Sequence, residues 1–313
     1  MTRRQYLWCV LNILCLVGFV IVVGRTTDIR SLLDEGGLGL SALGSVAVFV
    51  LWQIMNVHRW KMTLDNVSSN TQHARFAMLA RITWFSNLAA LALQLPVIAQ
   101  DAVRLSMWRR ISNHFMTVVK SLIVLRISGI FGIILIGLAG LSVIISGSNS
   151  FELAFRPQSQ IWVWIGVAAV IFALLAGRAF FHRKKDLAAL ILTCIRSLSL
   201  RILMSGMGAQ VVFVIAYYLA LDSFRPLPFY VGCAVIAVAA LGRIIPISLL
   251  NVTIGEGLLL FLLSQMGWSI AEVGAAVAVY LVSILLTGAV AVIMEVGQTL
   301  KTTKAGHTAV DDA

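Results

Sequence analysis

Residues 241–267 read LGRIIPISLLNVTIGEGLLLFLLSQMG, a stretch that is apolar except for two ionisable side chains. Arg243 stands near its start, Pro246 follows, and Glu256 comes ten residues after the proline. A charged side chain at membrane depth costs about 2.5–3.5 kcal/mol on insertion scales, and a proline leaves a backbone carbonyl in need of a new partner. The pattern predicts a broken membrane segment built around a buried polar site. An interfacial loop with a solvated Glu256 is the alternative.

Small and polar residues surround this glutamate. Asn251 and Thr253 precede it, and Gly255 and Gly257 flank it directly. Transporters use the ends of half-helices near the bilayer midplane to hold charged groups. Asn251 is therefore a candidate site residue beside Arg243 and Glu256.

The composition of the whole chain is that of a polytopic membrane protein. Of its 313 residues, 60% are hydrophobic and only 12% are charged, whereas a soluble domain carries about 25% charged residues. The net charge of +11 comes from basic residues that cluster beside the apolar runs. This distribution is the positive-inside pattern of membrane topology, and it favours anionic lipids as partners rather than nucleic acid.

Apolar runs of about 20 residues, long enough to cross a bilayer, recur along the chain. They lie near 6–24, 39–57, 121–145, 161–181, 202–221, 229–249 and 270–294. Two further pieces, 83–100 with Pro96 and 246–266, are irregular and predict re-entrant or broken helices. We therefore expect an all-α bundle of about seven or eight membrane segments. Residues 1–300 would form one integral membrane domain, and 301–313 a short polar cytoplasmic tail.

The basic residues also predict the orientation of the chain. Those at 3–4, 59–81, 104–120, 178–185 and 301–304 belong on the cytoplasmic face of a bacterial inner membrane. Both termini are then cytoplasmic. Because the basic residues on either side of 83–100 share one face, that piece must enter and leave the bilayer on the same side. Residues 182–201 combine helical apolar spacing with basic residues, which predicts an amphipathic helix on the cytoplasmic leaflet.

Motifs of soluble catalysis are absent from the sequence. It contains no GxxxxGK[ST] loop, no GxGxxG after a strand and no HExxH. The four cysteines form no CxxC pair and are expected to be small core residues. We therefore expect no enzyme activity, no cofactor and no metal site, with a membrane enzyme of unfamiliar spacing as a remote alternative.

A second polar constellation precedes the span at 121–145. Asp101 and Arg104 are three residues apart and would share one helix face. Arg104 and Arg109 could bind a phosphate, because guanidinium groups match phosphate oxygens bidentately; ordinary cytoplasmic charge with a capping aspartate would look the same. Arg126 lies inside the next span, where it would either pair with Asp101 or Glu256 or extend to the interface.

The spacing of these residues resembles a known family. Pro246, Ser248, Glu256 and Gly267 fall at the spacings of the C-terminal signature of the lysylphosphatidylglycerol synthase transmembrane-region family, a flippase-like membrane domain. Asp101-x-x-Arg104 resembles the family's Gly-Gly-Asp-x-x-Arg element, and Arg126 resembles its arginine in the following span. The likeness extends from about residue 5 to 297, without the aminoacyl-transfer domain of larger relatives.

The chain departs from the family pattern at several places. Ala99 and Gln100 stand where paired glycines are expected, and Asn251 and Thr253 lie where a glycine-rich turn should be. The resemblance implies handling or translocation of an anionic lipid or a polyprenyl-linked lipid intermediate in the cell envelope. In this hypothesis, Arg126 and Glu256 form a buried polar track and pair alternately with each other and with the headgroup. The alternative is a non-transporting accessory subunit that docks to an envelope glycosyltransferase or polysaccharide-assembly enzyme.

Overall fold

The computed structural model describes residues 40–67, 74–92, 96–109, 114–146, 185–243, 248–249 and 252–311. Within these ranges the chain is helical apart from one two-residue strand pair. The helices are α1 (Leu40–Val67), α2 (Phe76–Ala92), α3 (Pro96–Arg109), α4 (Phe115–Ser146), α5 (Lys185–Arg196), α6 (Leu200–Asp222), α7 (Phe229–Gly242), α8 (Ile254–Ser264) and α9 (Ile270–Asp311). The predicted spans at 6–24 and 161–181 lie outside the described residues.

The described helices form the bundle of a multi-pass membrane protein, as predicted. Helices α1, α4, α6 and α9 are each long and apolar enough to cross a membrane, and α7 and α8 are shorter apolar helices. Helix α1 contacts α2, α4, α6 and α9, and therefore lies at the centre of the described bundle. It carries Phe49, whose ring packs edge-on against Tyr217 of α6, with centroids 5.1 Å apart.

Small residues allow the membrane helices to approach closely, as they commonly do in bilayers. A methyl group added to Gly206 of α6 would lie 2.7 Å from the carbonyl oxygen of Ser128 on α4. One added to Gly132 of α4 would lie 2.9 Å from Cα of Met207. The backbones of α4 and α6 therefore touch where Ser128 and Gly132 present no bulk.

Each of the two irregular stretches of sequence contains a break between two helices that pack against each other. Helices α2 and α3 are separated by residues 93–95, and they pack against each other. Helices α7 and α8 also pack together, and Ser248–Leu249 pairs antiparallel with Val252–Thr253 between them. The predicted broken helices near 83–100 and 246–266 are confirmed; their re-entry into a bilayer remains a prediction.

Two predicted boundaries were wrong. The run at 229–249 is helical only to Gly242, where Arg243 is the C-terminal cap residue, and its last two residues, Ser248–Leu249, belong to the strand pair. The amphipathic segment 182–201 is not one helix. Helix α5 ends at Arg196, and Ser199 begins α6 by accepting a hydrogen bond from the backbone N–H of Ile202, as N-cap serines do.

Local sequence also determines where α9 begins. The Ser269 N–H donates to Glu272 Oε2 at 2.6 Å, and the Glu272 N–H donates to Ser269 Oγ at 3.2 Å. This reciprocal pair is a capping box. Gly267 adopts a φ of +82° at the preceding turn, a conformation that favours glycine. Helices α8 and α9 are thereby separated within a few residues.

Candidate functional site

Asp101 lies at the centre of the first polar site. Its carboxylate accepts hydrogen bonds from Arg126 Nη2 at 2.9 Å and from Arg126 Nε at 3.3 Å. Arg104 Nη1 lies 3.5 Å from the same carboxylate. Helix α3 supplies Asp101 and Arg104 one turn apart, and α4 supplies Arg126. Asp101 and Arg104 share a face, as predicted, and of the three alternatives left open for Arg126 the structure shows the pairing with Asp101.

Arg104 is buried, with 4% of its surface exposed. Its Nε donates to Ser86 Oγ of α2 at 3.1 Å, and its guanidinium carbon lies 5.4 Å from the ring centroid of Trp60 on α1. A guanidinium over an indole face gains cation–π stabilisation when it is desolvated. Three helices therefore hold the orientation of Arg104.

Arg59 of α1 is a third arginine of this site. It is also 4% exposed, and it donates to Asn56 Oδ1, to the Leu125 carbonyl oxygen and to Ser128 Oγ at 2.8–3.1 Å. The last two groups flank Arg126 on α4, and the charge of Arg126 acts on Arg59. The sequence had placed Arg59 among the basic residues that follow the second span on the cytoplasmic side, which remains a prediction. The structure adds that its side chain lies inside the bundle, where the backbone oxygen of Leu125 and the hydroxyl of Ser128 on α4 provide acceptors.

We name Arg59, Arg104, Arg126 and Asp101 the arginine cluster. Arg104 and Arg126 share the Asp101 carboxylate, whereas Arg59 donates to neutral acceptors, so the four side chains carry a formal net charge of +2. The side chains of Arg126 and Asp101 keep 37% and 25% of their surface exposed. Buried charges are normally paired, so an excess of buried cations with an open side is suited to an anion.

A chain of side-chain amides extends from Arg126 into the bundle. Arg126 Nη2 donates to Gln100 Oε1 at 2.7 Å, and Gln100 Nε2 donates to Asn87 Oδ1. Asn87 Nδ2 then donates to Gln53 Oε1 at 2.6 Å. We name Gln100, Asn87 and Gln53 the amide chain. It connects α3, α2 and α1 to the arginine cluster through Gln100.

Glu256 pairs with Arg243 in the second polar site. Arg243 Nε lies 2.8 Å from Glu256 Oε1, and each side chain is 16% exposed. Glu256 stands in the first turn of α8, where the helix dipole favours a carboxylate. Gly242 and Gly255 bring the two helices together, because a methyl group on Gly242 would lie 3.1 Å from Cα of Gly255.

Aromatic rings surround the guanidinium of Arg243. Its central carbon lies 4.7 Å from the ring centroid of Tyr217, 4.9 Å from that of Tyr280 and 5.6 Å from that of Phe213. Arg243 Nη2 also donates to the Tyr217 hydroxyl. We name Phe213, Tyr217 and Tyr280 the aromatic cage. The contacts of Arg243 with the cage and with Glu256 therefore hold the α7–α8 hairpin against α6 and α9.

The arrangement corrects the predicted pairing of Arg126 with Glu256. Arg126 binds Asp101 and Gln100, whereas Glu256 binds Arg243. The physical reason is that each broken segment brings its own partner: the α2–α3 hairpin carries Asp101 to Arg126, and the α7–α8 turn carries Arg243 to Glu256. The polar residues are therefore found in two ion-paired sites.

Two predicted site residues remain, Arg109 and Asn251. Arg109 is exposed at the C-terminal end of α3, where it lines an open pocket of about 410 Å³ with Leu105, Ser106 and Phe115. Neither Asp101 nor Arg104 lines this pocket. Asn251 lies outside the described residues. Within the described part of the chain, no group of three or more His, Cys, Asp or Glu side chains could hold a metal ion.

Sequence reasoning missed Gln53, Asn87 and the aromatic cage. A spacing signal was present in α1, because Gln53, Asn56 and Trp60 recur at helical intervals in an otherwise apolar run. Asn87 is a lone amide in the segment 83–93. The cage gave no signal, since its rings come from two helices that are far apart in sequence. No protein-family model, no curated protein and no solved structure matches this chain.

Proposed function

We propose that the arginine cluster binds the phosphate of an anionic membrane lipid, and that the protein handles or translocates this lipid across a bacterial cytoplasmic membrane. The net charge of +2 of a cluster in which Arg59 and Arg104 are buried and Arg126 and Asp101 are partly exposed is the observation that carries the proposal. A phosphate would supply the missing negative charge, and planar guanidinium groups bind its oxygens in pairs. The sequence resemblance to a flippase-like family points to the same class of ligand.

The open side of the cluster supports entry of a headgroup. Arg126 and Asp101 are partly exposed, whereas Arg59 and Arg104 are buried behind them. An incoming phosphate would meet Arg126 first and would compete with Asp101 for its guanidinium. The exchange needs no large movement, because Arg104 already lies close to the same carboxylate. Asp101 thereby acts as the internal anion that a lipid displaces.

The positive-inside pattern gives the direction of access. The basic residues that follow α1 and precede α4 belong on the cytoplasmic side, which is also the end of α1 where Arg59 lies. The headgroup would therefore approach from the cytoplasmic leaflet.

In this proposal the second site has a structural role, because Glu256, Arg243 and the aromatic cage fix the α7–α8 hairpin against the bundle.

Lipid translocation in proteoliposomes tests the proposal. The purified chain is reconstituted with fluorescent anionic and zwitterionic lipids, and movement between leaflets is followed by quenching. We expect faster movement of the anionic probes than in empty vesicles, with loss of that gain in Arg126→Gln. Lys61→Gln is the matched control, because Lys61 is a cation on α1 that pairs with Asp65 outside the cluster.

Two results would contradict the proposal in different ways. Movement no faster than in empty vesicles, across several anionic lipids, would refute translocation. Co-purification of an envelope-assembly enzyme, with its activity unaffected by Arg126→Gln, would favour the accessory-subunit alternative. Loss of movement in both Arg126→Gln and Lys61→Gln would assign the effect to general surface charge rather than to the cluster.

A further inference from the structure

The amide chain ends in a buried hydrogen-bond donor without a partner. Gln53 is 1% exposed, and its Nε2 has no acceptor among the residues that the structure describes. Thr83, which lies four residues before Asn87 on α2, is 1% exposed too, and its Oγ1 is likewise unsatisfied within the described ranges. Native proteins seldom leave such groups unpaired. The Gln53 amide is therefore a buried donor that a ligand or a water must complete.

The direction of the amide chain determines what that ligand must offer. An arginine only donates, so Gln100 receives the Arg126 hydrogen bond through its oxygen and passes on a donor. Asn87 likewise accepts through its oxygen and donates through its nitrogen, so Gln53 accepts through Oε1. The last group in the chain, Gln53 Nε2, must then be a donor. Only an acceptor oxygen can satisfy it.

The position of Gln53 indicates which part of a lipid supplies this oxygen. Gln53 precedes Arg59 by six residues on α1, which corresponds to about 9 Å along the helix. It lies on the side of the arginine cluster that leads away from the basic end of α1 and into the apolar part of the span. In a glycerophospholipid the ester carbonyl oxygens follow the phosphate in this direction. A polyprenyl phosphate has only hydrocarbon there.

From this geometry we propose that Gln53 Nε2 donates to an ester carbonyl oxygen of a glycerophospholipid whose phosphate occupies the arginine cluster. The proposal rests on the function proposed above and narrows its ligand to ester-linked glycerophospholipids, in preference to polyprenyl-linked intermediates. The amide chain then has a clear role. It holds the carbonyl-binding donor and the phosphate-binding Arg126 in one hydrogen-bonded unit.

The test compares an ester lipid with an ether analogue that differs from it only at the carbonyls, and with a lipid of the other class. The purified full chain in detergent micelles is titrated with phosphatidic acid carrying two ester-linked oleoyl chains, with its ether-linked dialkyl analogue and with a polyprenyl phosphate. Because leaving a buried donor unsatisfied weakens binding substantially, we expect about tenfold tighter binding of the ester lipid than of either other probe.

Two variants locate the preference. Gln53→Met removes the donor at similar side-chain volume and should bring the ester and ether affinities to the same value. Ser45→Ala is the matched control, since Ser45 is a buried polar residue of the same helix whose hydroxyl is already satisfied by the Ala216 carbonyl oxygen at 2.6 Å. It should keep the full ester preference.

The outcomes separate this inference from the proposed function. Equal binding of ester and ether phosphatidic acid by the unmodified chain would overturn the carbonyl contact, with a water then satisfying Gln53, and would leave the phosphate site standing. Tighter binding of the polyprenyl phosphate would overturn the assigned lipid class. Absence of binding by all three probes would refute the phosphate site and, with it, the inference.

Discussion

Asp101 determines the charge balance of the arginine cluster at the scale of single residues. It is the carboxylate that Arg126 and Arg104 share, so it stabilises the cluster and, in the proposed function, would compete with an incoming phosphate. A residue with these two roles should affect stability and affinity in opposite directions. Such opposed effects distinguish a displaceable internal anion from an ordinary structural ion pair.

The first prediction follows from that competition. Asp101→Asn removes the competing charge but keeps the side-chain shape, so we expect the affinity for phosphatidic acid to rise about fivefold, or ~1 kcal/mol for a partly exposed ion pair. The melting temperature of the lipid-free protein should fall, because Arg104 and Arg126 then lose the carboxylate that they share. Thermal unfolding with and without lipid measures both effects. A loss of affinity that matches Arg126→Gln would contradict the competition.

The second prediction concerns the Arg243–Glu256 pair. Glu256→Gln leaves a mostly buried guanidinium without its carboxylate, and removal of one partner from a buried pair costs about 3 kcal/mol. The double variant Glu256→Gln with Arg243→Met removes the stranded charge and should recover part of that stability. Reversible unfolding in mixed detergent micelles gives the comparison. A double variant less stable than Glu256→Gln alone would show that Arg243 stabilises the fold chiefly through the aromatic cage.

At the scale of elements, the two helical hairpins position both sites. The α2–α3 hairpin brings Ser86 and Asn87 against Gln100 and Arg104. The α7–α8 hairpin brings Arg243 to Glu256 and depends on close contact between glycines. The geometry of each site therefore depends on how closely its hairpin packs.

The third prediction tests how closely α7 and α8 pack against each other. A methyl group on Gly255 would collide with the Ala239 carbonyl oxygen and with Arg243, whereas one on Gly257 would meet nothing within 4 Å. We expect Gly255→Ala to lower the melting temperature by several degrees, as steric conflicts of about 1–3 kcal/mol do. Gly257→Ala, the matched control, should leave it unchanged. Equal effects of the two substitutions would contradict the close packing.

The element boundaries show how much of this arrangement the sequence reveals. The breaks near Pro96 and Pro246 were predictable, because proline cannot continue a helix and both stand in apolar runs. The Asp101–Arg104 face followed from helical spacing. The burial of Arg59 did not, since a basic residue near the end of a span matches the cytoplasmic pattern equally well. The amide chain depends on contacts between three helices, which no local pattern encodes.

At the scale of the whole molecule, the bundle combines apolar outer surfaces with a charged interior. Large side chains such as Leu138 of α4 and Ile293 of α9 are exposed, as lipid-facing residues of a membrane protein should be. Polar residues face inward and form the arginine cluster. This distribution leaves the open side of the cluster as the place where a lipid headgroup would meet buried cations.

The fourth prediction concerns topology. If the α2–α3 hairpin enters and leaves the membrane on one side, its two ends face the same compartment. Single cysteines at Arg75 and Arg109, which are exposed near those ends, should both react with a membrane-impermeant maleimide applied to inverted vesicles. Neither should react in intact cells with a permeable outer envelope. Labelling of the two positions from opposite sides would show that the hairpin region crosses the bilayer.

The lipid that the purified protein retains tests the central claim most directly. Mass spectrometry of the extensively washed protein should find an anionic phospholipid at close to one molecule per chain, retained in Lys61→Gln and largely lost in Arg126→Gln. This result is predicted because the arginine cluster has an excess of positive charge among the described residues, which a bound phosphate would reduce. The claim would be contradicted if all three proteins carried the same lipids in the proportions of the membrane from which they were extracted.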